Sequence, residues 1–180
     1  AGATGPAGAT GPAGATGGGA IIPFASGLPV AMATVLAGPA TQGVIGFGSS
    51  GTIVEIIGDP LDLTGGAGTA INFAFSVPRD GVITSLAAYF SVAVGLLISS
   101  PSTITARVYI STPPSIIFNE VATVPLPVLP GLAVPGTSIS DVSPLSIPVS
   151  AGDRVLIVFS AEATIAGAVI GYASAGMTIE

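Results

Sequence analysis

The sequence predicts an all-β protein, a sandwich of jelly-roll type preceded by a short collagen-like stalk. Three observations predict it. Apolar residues alternate with small polar ones in short runs. Gly, Pro, Ser and Asp punctuate those runs at regular intervals. No stretch of ten residues carries a convincing helical period.

The stalk comes first. Gly stands at 2, 5, 8, 11, 14 and 17, six triplets in phase. A flexible linker needs no period. A collagen triple helix does, because only Gly fits where three chains crowd one axis. Pro6 and Pro12 occupy the second triplet position and pre-set the polyproline backbone. No Pro occupies the third, so hydroxyproline plays no part, which points to a bacterial or phage repeat. Thr4, Thr10 and Thr16 sit at the third position, facing outward. The expected division is a stalk end over 1–19 and a β-sandwich trimerisation head over 20–180. The chain starts in mid-repeat with no secretory leader visible, so a fragment of a longer protein is expected.

Strands are expected at 44–47, 52–57, 70–77, 82–94, 103–111, 116–124, 146–149, 154–162 and 168–179. In one, Ile104, Ala106, Val108 and Ile110 oppose Thr105, Arg107, Tyr109 and Ser111. In another, Ile71, Phe73, Phe75 and Val77 share a face. Turns are expected at "GDP" (58–60), "TGGAG" (64–68), "PRDG" (78–81), "TPP" (112–114) and "AGD" (151–153). Six prolines between Val124 and Pro148 predict a long surface connection or a set of edge strands. "VLIVF" (155–159) and "AVIG" (168–171) are apolar on both faces. That predicts a second covering layer, and in so charge-poor a chain the expected layer is another subunit.

Charged residues are 7% of the 180, against about 25% in an ordinary globular domain. Three Arg and nine acids give a net charge of −6. A phosphate backbone would be repelled, so no nucleic-acid partner is expected. High mean hydropathy raises the question of a membrane. The best span, Val82–Ile98, falls short of the ~20 residues a helix needs and has a strand's period of two, so no membrane span is expected.

Chemistry is sparse. The sequence has no His, no Cys and no Lys. That removes Ser/His/Asp and Cys/His catalysis, thiolate or imidazole metal sites, and Schiff-base lysines. "GFGSSG" (46–51) lacks the Lys of a phosphate-binding loop. Asp59 and Asp62, in "GDPLDLTGG", are the closest acid pair. Their ordinary role is to close a turn; with loop carbonyls they are also candidate calcium ligands. Arg79–Asp80 and Asp153–Arg154 read as turn caps or local ion pairs, with inter-subunit pairing as a sharper alternative. No catalytic residue and no cofactor is expected.

At "AIIPFASGLPV" (20–30), "VIGFGSSG" (44–51) and "FSVPRDGVITSLAAYFSV" (75–92) the sequence resembles the C-terminal domain of BclB-like exosporium glycoproteins. These are collagen-like spore-surface proteins of Bacillus and related spore formers. They are similar in turn to BclA, the hair-like fibre protein of the exosporium, whose glycosylated stalk ends in a trimeric head like complement-type heads and tumour-necrosis-factor ligands. The resemblance implies a non-enzymatic, extracellular structural protein of the spore surface. Its head would form a homotrimer, nucleate the stalk and cap the filament tip. The resemblance also implies stalk contacts with other exosporium proteins, and O-linked glycans that map to Thr4, Thr10 and Thr16. The alternative is an adhesin or phage-fibre-like tip that binds a host or surface ligand.

Overall fold

The computed structural model describes residues 1–12, 19–34, 38–63, 73–94, 96–97 and 100–180. Thr16, the "TGGAG" turn and residues 70–72 of one expected strand lie outside them. Residues 1–12 are exposed throughout and form no regular secondary structure.

From Gly19 onward the described residues are all-β. The strands are β1 (Ala20–Ala25), β2 (Val30–Thr34), β3 (Pro39–Ile45), β4 (Ser50–Ile56), β5 (Leu61–Asp62), β6 (Phe75–Ser76) and β7 (Gly81–Val92). They continue as β8 (Leu96–Leu97), β9 (Ser102–Ser111), β10 (Ile117–Pro125), β11 (Leu132–Ala133), β12 (Ser138–Val149), β13 (Arg154–Ala163) and β14 (Gly167–Ile179). One sheet has five strands, in the order β1-β14-β7-β12 with β2 also on β14. The other has seven, in the order β4-β3-β13-β9-β10-β5 with β6 also on β13. β8 and β11 form a small ribbon. Every strand pair is antiparallel.

Alternation decides which residues are inside. Ile83, Leu86, Ala88, Phe90 and Val92 of β7 and Val169, Ala173, Ala175, Met177 and Ile179 of β14 are buried. They face Ile104, Ala106 and Val108 of β9 and Val155, Ile157, Phe159 and Ala161 of β13 across one continuous core. The two sheets are therefore the two halves of a sandwich, each unable to bury its apolar face alone.

A second core corrects one expectation. The opposite face of β13 carries Leu156 and Val158, and both are fully buried. They pack with Val44, Ile53, Leu61, Leu63, Tyr109 and Phe118. The layer covering that face is thus the chain's own, supplied by β3, β4, β5 and β10, and not another subunit. The 70–77 strand is corrected as well. Among the described residues only Phe75–Ser76 is extended in a ladder. Phe73 packs against the second core while Val77 is buried in the first.

The Pro-rich segment behaves as edge strand in its second half. β12 closes one end of the five-stranded sheet, and its ladder with β7 shifts register between Pro144 and Ile147. Proline is tolerated there because an edge strand has one side whose N–H groups need no ladder partner. β1, β2 and the first half of β12 are strands beyond those expected from the alternation.

Gly19, which follows the glycine triplets in sequence, packs against the end of β14. A side-chain carbon on Gly19 would lie 2.6 Å from the Ile179 carbonyl oxygen and 2.7 Å from Glu180 Cγ. Ala20 pairs with Ile179, and the Glu180 N–H and carbonyl both bond Val82. Both ends of the 20–180 unit therefore meet on the five-stranded sheet.

Candidate functional site

The densest polar cluster lies on the outer face of the seven-stranded sheet. Arg107 of β9 is buried, and each of its three guanidinium nitrogens donates a hydrogen bond. NH1 donates to Glu120 Oε2 at 2.7 Å, NH2 to Glu162 Oε1 at 2.7 Å, and Nε to Ser160 Oγ at 2.8 Å. Register explains the convergence. Tyr109 stands opposite Glu120 across β9 and β10, and Ser160 opposite Thr105 across β13 and β9. A bulge in β10 falls between Glu120 and Ala122, a device that re-aims strand side chains. One cation is clamped by carboxylates from the two strands flanking its own.

Tyr109 completes the cluster, donating from its hydroxyl to Glu120 Oε2 at 3.3 Å. Burial, and then the nearby Glu120 charge, push its phenol up to about 12. The cluster holds two carboxylates, a guanidinium, a neutral phenol and the Ser160 hydroxyl, which accepts from the Arg107 cation. None is a nucleophile activated by an adjacent base. What the arrangement does is staple β10, β9 and β13 together.

The sequence-predicted acids stand elsewhere. Asp59 is exposed and its N–H donates to the Ile56 carbonyl at 3.2 Å, closing the turn after β4. Asp62 is exposed on β5 opposite Ile117. Among the described residues, no group of three or more His, Cys, Asp and Glu comes together to hold a metal ion. Thr4 and Thr10 are exposed.

The two adjacent charge pairs supply caps. Asp153 is buried; its Oδ1 accepts the Thr112 hydroxyl and its Oδ2 the Ser150 N–H, each at 2.8 Å. Asp80 Oδ1 accepts the Ala151 N–H at 2.8 Å.

The outer face of the five-stranded sheet offers a different surface. Tyr89 and Tyr172 flank a shallow cavity of about 240 Å³ floored by Ala25, Ser26, Gly27, Ala173 and Ser174. A neighbouring cavity of about 190 Å³ lies between Tyr89, Val142 and the small residues Ala87, Ser174 and Gly176. Tyr172 and Tyr89 are diagonal neighbours on β14 and β7, since Tyr172 pairs with Ser91 and Ser174 with Tyr89. The Arg107 cluster and this face went unnoticed in the sequence, where their members are scattered singly. No helix among the described residues is long and apolar enough to cross a membrane.

No protein-family model matches the chain. It is similar to Collagen-like protein 1 of Acanthamoeba polyphaga mimivirus, with 39% identity over 156 residues. That match covers 77% of this chain and 16% of the viral protein, so the chain spans about one sixth of that relative's length. A match over 77% of the chain extends far past the triplets of 1–19, into the β domain. The likeness supports a collagen-like protein.

Proposed function

We propose, starting from a collagen-like protein, that residues 20–180 are the trimeric, non-enzymatic head of a surface fibre and residues 1–19 the end of its stalk. The observation that carries this reading is the join between them. A glycine period that calls for three chains runs through Gly17 and is followed at Gly19 by close approach to Ile179 and Glu180 at the end of β14.

Strand order supports a jelly roll for the head. β1 pairs with β14, β3 with β13, β7 with β12 and β9 with β10. Taken as eight main strands, the first pairs with the last, the second with the seventh, the third with the sixth and the fourth with the fifth. A long antiparallel ribbon rolled over on itself gives that order.

The mechanism is effective concentration. Three associated heads hold three stalk ends together, so triple-helix closure becomes intramolecular. The head in this reading registers and nucleates the stalk and caps the filament tip. The resemblance to exosporium glycoproteins supports a filament outside the cell, on a spore surface. It also adds glycans at Thr4, Thr10 and Thr16 and stalk contacts with other exosporium proteins.

Light scattering on the 180-residue chain tests this. The expected mass is three times 17.2 kDa. A monomer at micromolar concentration overturns it. The Tyr89–Tyr172 cavity favours a second reading, an adhesin or phage-fibre-like tip whose aromatic rings stack on a ligand. Binding to a glycan array that is lost with Tyr172→Ala, in a variant of unchanged oligomeric state, would select that reading.

A further inference from the structure

The two ends of the sandwich differ in chemistry. Gly19 marks one end, beside Ile179 and Glu180 at the close of β14. The turns 78–81 and 150–153 lead into β7 and β13 there, and they carry Arg79, Asp80 and Asp153. The other end lies at the far limit of the same strands. Val92 ends β7, Ser138 begins β12, and Gly167, which pairs with Thr34, begins β14. β14 has 13 residues, so the two ends stand about 40 Å apart at ~3.3 Å per residue. Four segments connect the strands at the far end: 35–38, 93–101, 126–137 and 164–166. None of them contains a charged or an aromatic residue.

The described residues of these segments are tied together. β11 pairs with β8, and the Gly136 N–H donates to the Val92 carbonyl at 2.9 Å. Thr164 Oγ1 lies 2.6 Å from Ser100 Oγ, and the Thr34 hydroxyl donates to the Ile165 carbonyl at 3.0 Å. Aliphatic side chains stand out from this group. Leu132 is 77% exposed, Val134 68%, Val128 61%, Val94 54% and Ile165 46%. Core packing accounts for Leu126, Leu129 and Ala133, which are buried in the main core. It gives no reason for Val128, Leu132 and Val134 to be apolar. A solvated surface carries interspersed charge, as the turns at the Gly19 end do.

Two observations name the occupant as the hydrocarbon of a lipid surface. The first is the backbone of 126–137. Pro127, Pro130 and Pro135 have no N–H to satisfy. The Leu126, Leu129, Gly136 and Thr137 N–H groups donate to the carbonyls of Ile104, Ser102, Val92 and Val134. A loop with its donors so disposed can leave water without stranding them, which an apolar phase demands of any backbone that enters it. The second is composition. Contacts between proteins centre on Tyr, Trp and Arg, and these segments have none. Aliphatic side chains raised on a charge-free end need no matching relief when the partner is fluid. The chain's net charge of −6 makes that partner a bilayer without net negative charge.

We propose that the end of the sandwich away from Gly19 inserts Val128, Leu132 and Val134 into the surface of an uncharged lipid bilayer. The contact is shallow and spans nothing. It goes beyond the fibre-head reading and needs neither threefold assembly nor the Tyr89–Tyr172 cavity, so each can fail without the other.

Flotation of the full 180-residue chain with phosphatidylcholine vesicles tests this. The parent chain should float with the vesicles. So should Val54→Asp, altered at a residue of β4 that is 62% exposed. Leu132→Asp and Val134→Asp should each lower vesicle affinity at least about tenfold, because a carboxylate is costly in hydrocarbon. A parent chain that stays behind overturns the proposal, and so does equal flotation of all four proteins. Light scattering without vesicles covers the other occupant. A mass that doubles with concentration and reverts in Leu132→Asp, with no flotation, assigns this end to a second copy and overturns the lipid contact. A pair without added charge guards against misfolding, since the chain has no cysteine of its own. With an environment-sensitive dye on Leu132→Cys, emission should shift to the blue when vesicles are added. The same dye on Val54→Cys should not respond, and equal shifts overturn the proposal.

Discussion

Phe24 and Phe47 stack with ring centroids 5.1 Å apart and 26° between their planes, tying β1 to the residues that follow β3. Phe24 is buried in the main core, whereas Phe47 is 57% exposed. Backbone bonds run beside the rings, from the Ala25 N–H to the Gly46 carbonyl at 2.7 Å and from the Gly48 N–H to the Ala25 carbonyl at 3.0 Å. β1, at the edge of one sheet, is thereby fastened to the end of β3 in the other. Truncating Phe24 to Ala should cost about 3–5 kcal/mol, the range for a buried Phe. Phe47→Ala should cost about 1 kcal/mol, the worth of an aromatic pair with little burial. Denaturant melts of the two single variants and the double variant check both values and the coupling between them.

Arg107 holds three strands through one guanidinium, so removing it leaves the fully buried Ser160 without its donor and Glu120 with the Tyr109 hydroxyl in place of a cation. Arg107→Ala should destabilise by about 2–3 kcal/mol, below the range for a fully buried pair because Glu162 is half exposed. Glu162→Gln should cost less than about 1 kcal/mol, as an exposed partner does. Chemical denaturation of both variants checks the order, and a larger loss for Glu162→Gln would contradict it.

Tyr109 gives the fold an alkaline limit. An unfolded tyrosine ionises near pH 10, while burial and Glu120 raise Tyr109 to about 12. Between those values the unfolded chain releases a proton that the folded chain keeps, so stability falls as pH rises. At about 1.4 kcal/mol per tenfold change, the loss across that window is on the order of 2 kcal/mol. Tyr109→Phe should remove that part of the slope. Unfolding midpoints from pH 9 to 12 for both proteins measure it.

Gly27 turns the chain between β1 and β2 with a φ of +68°. A side-chain carbon there would run into the carbonyl of Gly48. Gly27→Ala meets both a backbone conformation that favours glycine and a rigid neighbour. It should destabilise by more than about 2 kcal/mol, whereas Gly38→Ala, at a φ of +90° with open space around it, should cost about 1 kcal/mol. Comparing the two melting temperatures checks that space, as well as φ, sets the difference.

Alternation made much of the sandwich legible. β7, β9, β13 and β14 fall within one or two residues of the runs expected at 82–94, 103–111, 154–162 and 168–179, because a strand with one buried face repeats every two residues. Prolines marked 124–148 as a surface connection or edge strands without fixing which, and β12, at the end of a sheet, is the edge strand. The Asp153 cap on the Ser150 N–H was legible too, since it spans three residues, whereas the bond from the Ala151 N–H to Asp80 joins positions 71 apart and forms only through the fold. The Arg107 cluster was not legible. Its partners Glu120, Ser160 and Glu162 are 13, 53 and 55 residues away and meet only through strand pairing.

The sequence by itself determined the three-residue glycine period of 2–17, the absence of His, Cys and Lys, and the number of charges. These follow from composition and short periods. Only the tertiary structure decided that the second face of β13 is covered by the chain's own residues and that the strands of the five-stranded sheet hold a single charged residue. Composition sets how many charges a chain has. Which face they occupy depends on which distant strands become neighbours, and that pairing is settled by burying both apolar faces in one core.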